Sequence, residues 1–279
     1  MEYLLSVWPQ ILEQTQKAKH ILLMADFDGT LAPIVDKPEL ASLPKETRQL
    51  LLDLANQQNL TVGIISGRSL IDLKEKINLN GIVYAGNHGL EVEGQGLNYT
   101  NSVAEETKPL FRIIHQILTK TLKPIKGVLI EDKGFSLSVH YRLVENDRAK
   151  DIEKMIEQAI SCAATRGIFK VTRGKKVFEI RPATDWNKGK AIQFLMKKIG
   201  KKGRRSGLLP IYLGDDLTDE DGFETIAKYG QGISVYIGEY QNKSSARFFL
   251  KSPDEVSQFL RNLLTYAERG LLCEPYSTI

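Results

Sequence analysis

Two carboxylates stand two residues apart at Asp26 and Asp28, directly after the apolar run at 21–25. The run is too short and too uninterrupted for an amphipathic helix, so it predicts a buried parallel strand. At the end of a strand, side chains two residues apart project to the same side. Two carboxylates there repel unless a cation lies between them or one is protonated. A plain Asp/Gly turn would contain the same residues, so the choice depends on the rest of the chain.

Three more predicted strands also end in polar residues. The strands cover 60–65, 81–85 and 209–213, and the polar residues after them are Ser66, Arg68, Asn87, His88, Asp215 and Asp216. A hydroxyl and backbone N–H groups at a helix N-terminus form an anion site that Arg68 is close enough to assist, although Ser66 could simply cap the helix that follows. His88 by itself is more often a structural histidine than a functional one.

A lysine and a group of acids flank the last of these strands. Lys188 falls in the first turn of a helix predicted at 187–199, where the helix dipole disfavours a cation. A lysine there can reach over the strand ends and neutralise an anion. Five acids also follow the strand within seven residues. The three at 219–221 suit a helix N-terminus, whereas Asp215 and Asp216 come directly off the strand and are better placed as metal ligands.

The elements that must position these residues alternate between strand and helix. With a strand at 232–237, five core strands are predicted, and helices such as the one opened by Pro44 separate them. In an open parallel sheet, ligands bind beyond the carboxyl ends of the strands. The pattern therefore predicts an α/β fold, a Rossmann-like parallel sheet with helices on both faces, whose scattered motifs converge at one edge.

A polar, glycine-containing stretch at 94–102 marks a boundary. Beyond it the order changes to helix, strand, strand, and this order occurs twice. It predicts a small α/β domain in which helices cover one face of a sheet. The predicted elements are helices at 104–122 and 147–164 and strands at 127–131, 135–142, 168–172 and 176–181.

The other face of that sheet is predicted to be polar. Along 135–142, apolar residues alternate with Ser136, Ser138, His140 and Arg142. Glu179 points to the polar side of its own strand, and Glu131 and Lys133 can join this face from a strand end and a turn. A plain solvated face, which is common in antiparallel sheets, explains any one of these residues equally well.

The composition limits the classes of protein to which this chain can belong. The chain has 279 residues, of which 42% are hydrophobic and 26% charged, as in ordinary globular proteins. Its net charge of +4 is too small to indicate nucleic-acid binding, and the dense basic run at 197–205 suits a helix end and a solvated loop. Two cysteines without metal spacing suit a reducing cytosol. No apolar run reaches membrane-spanning length.

The N-terminus lacks the basic stretch and the small-residue cleavage site of a secretory signal. Its apolar residues at 4–12 predict one face of a packed helix that Pro9 limits or kinks. We therefore expect a cytoplasmic protein that binds neither membranes nor nucleic acid and needs no obligatory protein partner.

Four motifs in order, DFDGTLAP, ISGR, the lysine of NKGK and GDDLTDED, resemble the signature motifs of the haloacid dehalogenase superfamily of phosphatases. The fuller set, with NHG, EDKG, HYR and FEIRP, resembles the trehalose-6-phosphate phosphatase family in particular, over nearly the whole chain. The resemblance implies a stand-alone phosphatase, without a fused synthase domain, that acts in the last step of trehalose biosynthesis.

The resemblance also implies a role for each core motif. Asp26 is expected to be the nucleophile that attacks phosphorus and forms an aspartyl phosphate. Asp28 is expected to protonate the departing sugar oxygen and then to activate water. Ser66 and Lys188 are expected to bind phosphate oxygens and to neutralise charge in the transition state.

The expected cofactor is Mg²⁺, a small hard cation that prefers oxygen ligands. By resemblance, Asp26, the backbone carbonyl of Asp28 and Asp215 hold it, and Asp216 or Asp219 supports it. The core is expected to comprise 1–102 and 183–279, and 103–182 to form an inserted α/β cap domain that excludes water when closed. The expected substrate-binding residues are Arg68, Asn87, His88, Glu131, Lys133, His140, Arg142 and Glu179.

Two other functions remain open at this point. A phosphatase for sucrose phosphate, or for a glucosyl or mannosyl glycerate phosphate, would share every core motif, and only the cap residues argue against it. A non-catalytic regulator that binds sugar phosphates is expected to have lost Asp26, Asp28 or Lys188, and all three are present.

Overall fold

The computed structural model describes residues 1–35, 37–144, 148–165, 167–174, 176–200, 207–239 and 243–272. The chain forms two compact units, one of residues 1–98 with 186–279 and the other of residues 99–185. Most of the predicted basic run and Cys273 lie outside the described residues. Among the residues described, no helix has both the length and the apolar composition needed to cross a membrane.

Strands and helices are numbered separately in chain order. The strands are β1 (Glu2–Tyr3), β2 (His20–Ala25), β3 (Leu60–Ile65), β4 (Val83–Gly86), β5 (Glu91–Gly94), β6 (Leu97–Thr100), β7 (Leu129–Asp132), β8 (Leu137–His140), β9 (Phe169–Gly174), β10 (Val177–Pro182), β11 (Leu208–Gly214), β12 (Ile233–Ile237) and β13 (Phe248–Leu250). The helices are α1 (Trp8–Lys17), α2 (Lys45–Ala55), α3 (Leu70–Ile77), α4 (Ser102–Leu122), α5 (Ala149–Thr165), α6 (Lys188–Gly200), α7 (Glu220–Tyr229) and α8 (Pro253–Leu272).

Nine of the described strands form one sheet in the order β1-β13-β12-β11-β2-β3-β4-β5-β6. All pairs from β1 through to β4 are parallel, and β5 pairs antiparallel with β4. From β2 the chain continues outward through β3 and β4, whereas β11 and β12 lie on the other side of β2. The strand order therefore reverses at β2, which is where open α/β sheets bind ligands. The predicted α/β class is confirmed.

The central strands are apolar because both of their faces are covered. Every residue of β2, β3 and β11 is buried, as expected for parallel strands between two layers of helix. Ala25 pairs with Leu213 on one side and with Ile64 on the other. The residues that follow these three strands consequently emerge at the same edge of the sheet.

The N-terminal segment differs from its prediction. The first residues form β1, which pairs with β13, and a 3₁₀ turn at Leu4–Val7 leads into α1. Pro9 lies in the first turn of α1, where the missing N–H of proline costs no hydrogen bond. The single packed helix predicted over 4–12 is therefore divided, because Leu4–Val7 form the 3₁₀ turn and the α-helix begins only at Trp8.

Two short strands lie at the polar boundary of 94–102, since β5 ends where this stretch begins and β6 lies inside it. β5 and β6 extend the sheet beyond β4, with Ala85 opposite Val92. Neither has an apolar run that would predict a strand, and β13 is shorter still, with three residues. Short strands at or next to the edge of a sheet depend on the partners that they pair with, so local sequence patterns do not reveal them.

The second unit has its own sheet and core. β7, β8, β10 and β9 lie in that order and pair antiparallel throughout. The side chain of Asn101 accepts a hydrogen bond from the backbone N–H of Ala104 at 3.2 Å and so caps α4. Apolar residues of α4 and α5 pack with those of the sheet, among them Phe111, Ile114, Leu118, Leu137, Val139, Ile152, Ile156, Phe178 and Ile180.

A row of polar residues crosses the other face of this sheet. Glu131 lies opposite Ser138, Ser138 lies opposite Glu179, and Glu179 lies opposite Thr172. Directly opposed residues share a face, so the four side chains line up across all four strands. This register sets the spacing of the polar groups that any ligand on this face would meet.

Candidate active site

Asp26 follows β2 at the point where the strand order reverses. Its backbone N–H donates to the carbonyl of Leu213 at 2.9 Å, which continues the strand pairing past β2. Its side chain is 7% exposed, and its Oδ1 lies 3.3 Å from Nζ of Lys188. Burial raises the pKa of Asp26 well above its ordinary value, the Lys188 ammonium opposes the rise, and neighbouring carboxylates add to it.

Lys188 begins α6 and is buried at the strand ends. Asn187 caps the helix, because its Oδ1 accepts from the backbone N–H of Lys190 at 2.9 Å. The Nζ of Lys188 lies 2.7 Å from Oδ1 of Asp219 and 3.9 Å from Oδ1 of Asp216. Burial lowers the pKa of Lys188, but these carboxylates outweigh that effect and hold it well above its ordinary value. Lys188 is therefore a fixed positive charge.

Asp219 connects this lysine to the loop after β11. Its Oδ1 accepts from Nζ of Lys188 and from the hydroxyl of Tyr212. Its Oδ2 accepts from the backbone N–H groups of Asp215 at 3.0 Å and Asp216 at 3.1 Å. The residue is completely buried. The sequence allows two roles for Asp219, as an acid that suits a helix N-terminus or as a residue that supports the metal. The structure shows a carboxylate that holds both Lys188 and the Asp215 backbone in place.

The turn after Asp26 packs closely on Asp215. A Cβ at Gly29 would lie 2.1 Å from Oδ2 of Asp215, and the φ of Gly29 is +86°, so the position requires glycine. Oγ1 of Thr30 donates to Oδ1 of Asp215 at 2.9 Å. Burial, followed by the charges of nearby carboxylates, raises the pKa of Asp215 to about 7. Two motifs far apart in the sequence therefore meet in one cluster.

Asp28 forms a two-pronged ion pair with Arg68. The Nε of Arg68 donates to Oδ2 of Asp28 at 2.6 Å, and its Nη2 donates to Oδ1 at 2.7 Å. The Asp28 side chain is 39% exposed and that of Arg68 only 7%. The sequence places Arg68 beside a bound anion, and the structure shows it bonded to an anion of the protein itself. Its contact with substrate stays a prediction.

The SGR and NHG motifs interlock at the ends of β3 and β4. Oγ of Ser66 accepts from the backbone N–H of Arg68 at 3.2 Å. The backbone N–H of Asn87 donates to the Arg68 carbonyl at 2.7 Å, and that of His88 donates to the Ser66 carbonyl at 2.8 Å. Asn87 and His88 have φ values of 49° and 57°, which cost energy outside glycine. These hydrogen bonds hold the strained turn against the end of β3.

Charge balance at the strand ends fits a bound cation. The carboxylates of Asp26, Asp215, Asp216 and Asp219 act on one another's pKa values, and the ammonium of Lys188 offsets only part of their negative charge. Oxygens of Asp26, Asp215 and Asp219 lie within 4.8 Å of one another. Oδ1 of Asp26 is buried and accepts no hydrogen bond from any residue that the structure describes. A hard divalent cation prefers such oxygens.

Asp216 lies at the rim of this cluster. Its Oδ1 caps the 3₁₀ turn Leu217–Asp219 by accepting from the backbone N–H of Thr218 at 2.8 Å and from the Thr218 hydroxyl at 2.7 Å. Its side chain is 53% exposed. Within the described parts of the chain, the acidic group that could hold a metal consists of Asp26, Asp215 and Asp219, and Asp216 is not part of it. Asp216 as a metal ligand stays a prediction.

The polar face of the second unit carries a connected group of charged and polar side chains. Oε2 of Glu131 lies 3.1 Å from Nε2 of His140 and 3.9 Å from Nζ of Lys133. Lys133 is also 3.6 Å from Oε1 of Glu179, and Nε of Arg181 is 3.6 Å from Oε2 of Glu179. We call these five residues the sheet-face cluster. It unites four residues predicted to bind substrate, whereas Arg142 lies exposed in the turn after β8.

Three contributors were not among the predicted site residues, namely Thr30, Tyr212 and Arg181. Thr30 belongs to the DFDGT motif, and Arg181 lies two residues after Glu179 on the same face of β10, so the position of each in the sequence pointed to the site. Tyr212 lies inside the apolar run of β11, and a single hydroxyl in that run was its only signal. Its partner Asp219 lies seven residues further along, after a turn that sequence patterns do not specify.

Similarity to known proteins covers nearly the whole chain. The family model described as trehalose-phosphatase matches residues 24–254. The probable trehalose-phosphate phosphatase 3 of Oryza sativa subsp. japonica is 33% identical over 278 residues, which cover 94% of this chain and 74% of that protein. Trehalose-phosphate phosphatase B of Arabidopsis thaliana is 33% identical over 262 residues, covering 91% of this chain and 68% of that protein.

Solved structures agree with these matches. The C-terminal domain of the trehalose-6-phosphate phosphatase of C. albicans superimposes with a TM-score of 0.76 at 25% identity, covering 92% of this chain and 96% of that one. The trehalose-6-phosphate phosphatase of Aspergillus fumigatus gives a TM-score of 0.64 at 28% identity, covering 92% and 97% of the two chains.

Proposed function

The chain belongs to the trehalose-phosphatase family, and from this premise we propose that it hydrolyses trehalose 6-phosphate to trehalose and inorganic phosphate. The resemblance predicted from the motifs is confirmed, and the protein is a phosphatase. One observation carries the proposal. Asp26 and the buried cation of Lys188 lie 3.3 Å apart at the sheet's switch point, inside the segment that the family model covers.

In the first step, a carboxylate oxygen of Asp26 attacks phosphorus. The bond between phosphorus and the sugar oxygen breaks, and an aspartyl phosphate forms. The departing oxygen needs a proton, and Asp28, two residues further along the chain, supplies it from its protonated form. Asp28 suits this role because its side chain is 39% exposed, whereas that of Asp26 is buried.

In the second step, water attacks the aspartyl phosphate. Asp28, which has given up its proton, accepts one from this water, so that phosphate leaves and the Asp26 carboxylate is restored. Lys188 keeps its charge throughout and offsets the negative charge that develops on the phosphoryl oxygens. Ser66 follows β3, the strand next to β2, and would offer a hydroxyl to the same group.

Members of this family use a divalent cation, and we propose Mg²⁺ for this chain. The ligands would be Asp26, the backbone carbonyl of Asp28 and Asp215, supported by Asp216 or Asp219. Bound there, the cation would reduce carboxylate repulsion and polarise a phosphate oxygen. Asp219 already accepts four hydrogen bonds, so its best-supported task is to position Asp215 and Lys188.

We propose that 103–182 act as a cap domain whose sheet-face cluster binds the sugar. Sugar hydroxyls both donate and accept hydrogen bonds, and a face that combines two carboxylates with three nitrogen-bearing side chains offers both kinds of partner. Asn87 and His88 remain proposed contacts at the core rim. Arg142 remains a proposed contact on the cap.

A phosphate-release assay across a sugar-phosphate panel tests this function. The panel contains trehalose 6-phosphate, sucrose 6-phosphate, glucose 6-phosphate and phosphorylated glucosyl and mannosyl glycerates, each with and without Mg²⁺. We expect trehalose 6-phosphate to have the highest kcat/KM, with activity only when Mg²⁺ is present. A higher value for another sugar phosphate would reassign the substrate, and no release from any of them would favour a binding protein.

A further inference from the structure

The guanidinium of Arg68 is almost fully engaged by the protein. Besides its two bonds to Asp28, its Nη1 donates to Oδ2 of Asp72 at 2.6 Å and its Nη2 to the carbonyl of Pro38 at 2.9 Å. The described residues thus take up four of the five N–H donors of the guanidinium group. The one remaining donor cannot form the two parallel hydrogen bonds by which arginine recognises phosphate.

Arg68 is itself held on a rigid support. Asp72 lies in the first turn of α3, and its backbone N–H donates to the capping hydroxyl of Ser69 at 3.2 Å. The guanidinium also lies over the ring of Phe27, 5.4 Å from the ring centre. Burial lowers the pKa of Arg68, but Asp28 and Asp72 raise it above its ordinary value. The side chain is therefore a permanent cation in one fixed orientation.

We propose that Arg68 is a positioning residue that holds the carboxyl group of Asp28 in one orientation and stabilises the carboxylate left when its proton passes to the departing oxygen, and that it does not bind the phosphate of the substrate. Asp28 is 39% exposed, so without Arg68 its short side chain would be free to rotate in solvent. A fork with two parallel N–H bonds restricts that rotation, which a single ammonium does not do.

This inference rests on the proposed role of Asp28 as acid and base. It differs from the substrate contact that the sequence predicts for Arg68. A residue that acts through Asp28 matters in proportion to the leaving group's need for a proton. A residue that binds phosphate matters equally for every phosphate ester. The two roles therefore differ in how activity depends on the leaving group.

The test measures kcat/KM for trehalose 6-phosphate, phenyl phosphate and 4-nitrophenyl phosphate in the presence of Mg²⁺. This parameter reports steps up to ester cleavage. Nitrophenolate leaves without a proton, phenolate leaves less readily, and a sugar alkoxide needs one. For Arg68→Lys we expect a loss of about 10²-fold with trehalose 6-phosphate, about tenfold with phenyl phosphate and less than about threefold with 4-nitrophenyl phosphate.

Two further variants sharpen the test. Asp72→Asn weakens the hydrogen bond from Nη1 of Arg68 to Oδ2 of Asp72 and leaves Asp28 unchanged. The losses in kcat/KM should therefore follow the same order among the three esters but be smaller. Arg48→Lys is the matched control, because Arg48 donates to backbone carbonyls of Lys76, Ile77 and Asn78 and not to Asp28. Its effect should be the same for all three esters.

Equal losses on all three esters with Arg68→Lys would overturn the inference and indicate a phosphate contact. If thermal denaturation shows that Arg68→Lys does not fold, the Asp72→Asn variant provides the test. An Asp72→Asn variant with unchanged kcat/KM on every ester contradicts the proposal. A wild-type protein that cleaves aryl esters but not trehalose 6-phosphate contradicts the proposed substrate and leaves the phenyl comparison valid. A wild-type protein that cleaves none of them overturns both.

Discussion

The two charged regions of this molecule are built differently. At the strand ends of the first unit, Asp26, Lys188 and Asp219 have side chains that are 0–7% exposed, and Lys188 lies 2.7 Å from Asp219. In the sheet-face cluster of the second unit, side chains are 11–29% exposed and the contacts between them span 3.1–3.9 Å. One region is buried and tightly bonded, and the other is looser and more open.

The difference matches two kinds of task. Buried charges act strongly on one another because little water screens them, and groups already held in place need no reorganisation when charge develops. Looser pairs at a partly open surface can exchange a partner for a ligand hydroxyl at low cost. We therefore expect substitutions in the first region to remove the chemistry for every ester, and those in the second to change sugar preference.

The strongest test of this division is Asp26→Asn. The substitution keeps the shape of the side chain and removes the attacking charge, so hydrolysis of every ester should fall by roughly 10³-fold or more. Phosphate release is measured beside Asp254→Asn, which changes an exposed carboxylate in the first turn of α8 and should be neutral. Retention of a tenth of wild-type turnover would exclude Asp26 as the nucleophile.

The next largest effect is expected for Asp219→Asn. An amide cannot accept all four hydrogen bonds of this carboxylate, and it leaves Lys188 buried without its 2.7 Å partner. Removing one member of a buried ion pair typically costs about 3–5 kcal/mol. We expect kcat/KM to fall about 10²-fold for every ester and the melting temperature to drop.

The control for Asp219→Asn is Tyr212→Phe. That variant removes one hydrogen bond to Asp219 and keeps the lysine pair, so its losses in activity and melting temperature should be clearly smaller. If Asp219→Asn kept wild-type activity, Asp219 would not position the lysine.

A smaller and selective effect is expected in the sheet-face cluster. Loss of one charged hydrogen bond to a sugar typically costs about 1.5–3 kcal/mol, so Glu131→Ala, Lys133→Ala and Glu179→Ala should each lower kcat/KM for trehalose 6-phosphate about tenfold to a hundredfold. 4-Nitrophenyl phosphate, which offers no sugar hydroxyls, should be affected much less. Glu153→Ala is a suitable control, since Glu153 pairs with Arg173 and lies outside the cluster. Equal losses on both substrates would indicate a role in folding or closure.

The mildest test concerns pH. Because burial and neighbouring carboxylates raise the pKa of Asp215 to about 7, a proton competes with a cation for this residue below that pH. Mg²⁺ affinity should therefore fall by up to about tenfold for each pH unit below 7 and level off above it. Calorimetry in buffers of different ionisation enthalpy would also count the proton released on binding. Constant affinity from pH 6 to pH 8 would contradict the assignment.

Much of the fold followed from local patterns. Apolar runs at 21–25, 60–65 and 209–213 predicted strands that the structure contains as β2, β3 and β11. Period-two alternation along 135–142 separated Leu137 and Val139, which the structure buries, from the polar side. The strands β1, β5, β6 and β13 were not predicted, because short strands at or next to the edge of a sheet depend on their partners more than on their own residues.

The sequence by itself determined the order of the motifs, their position at strand ends and the family, because each depends on residues close together in the chain. Only the tertiary structure decided which charges meet. Arg68 pairs with Asp28, 40 residues away, and Lys188 pairs with Asp219, 31 residues away. No local pattern specifies such pairs or the burial that shifts the pKa of Asp215, since both arise only when separate strands and helices pack against one another.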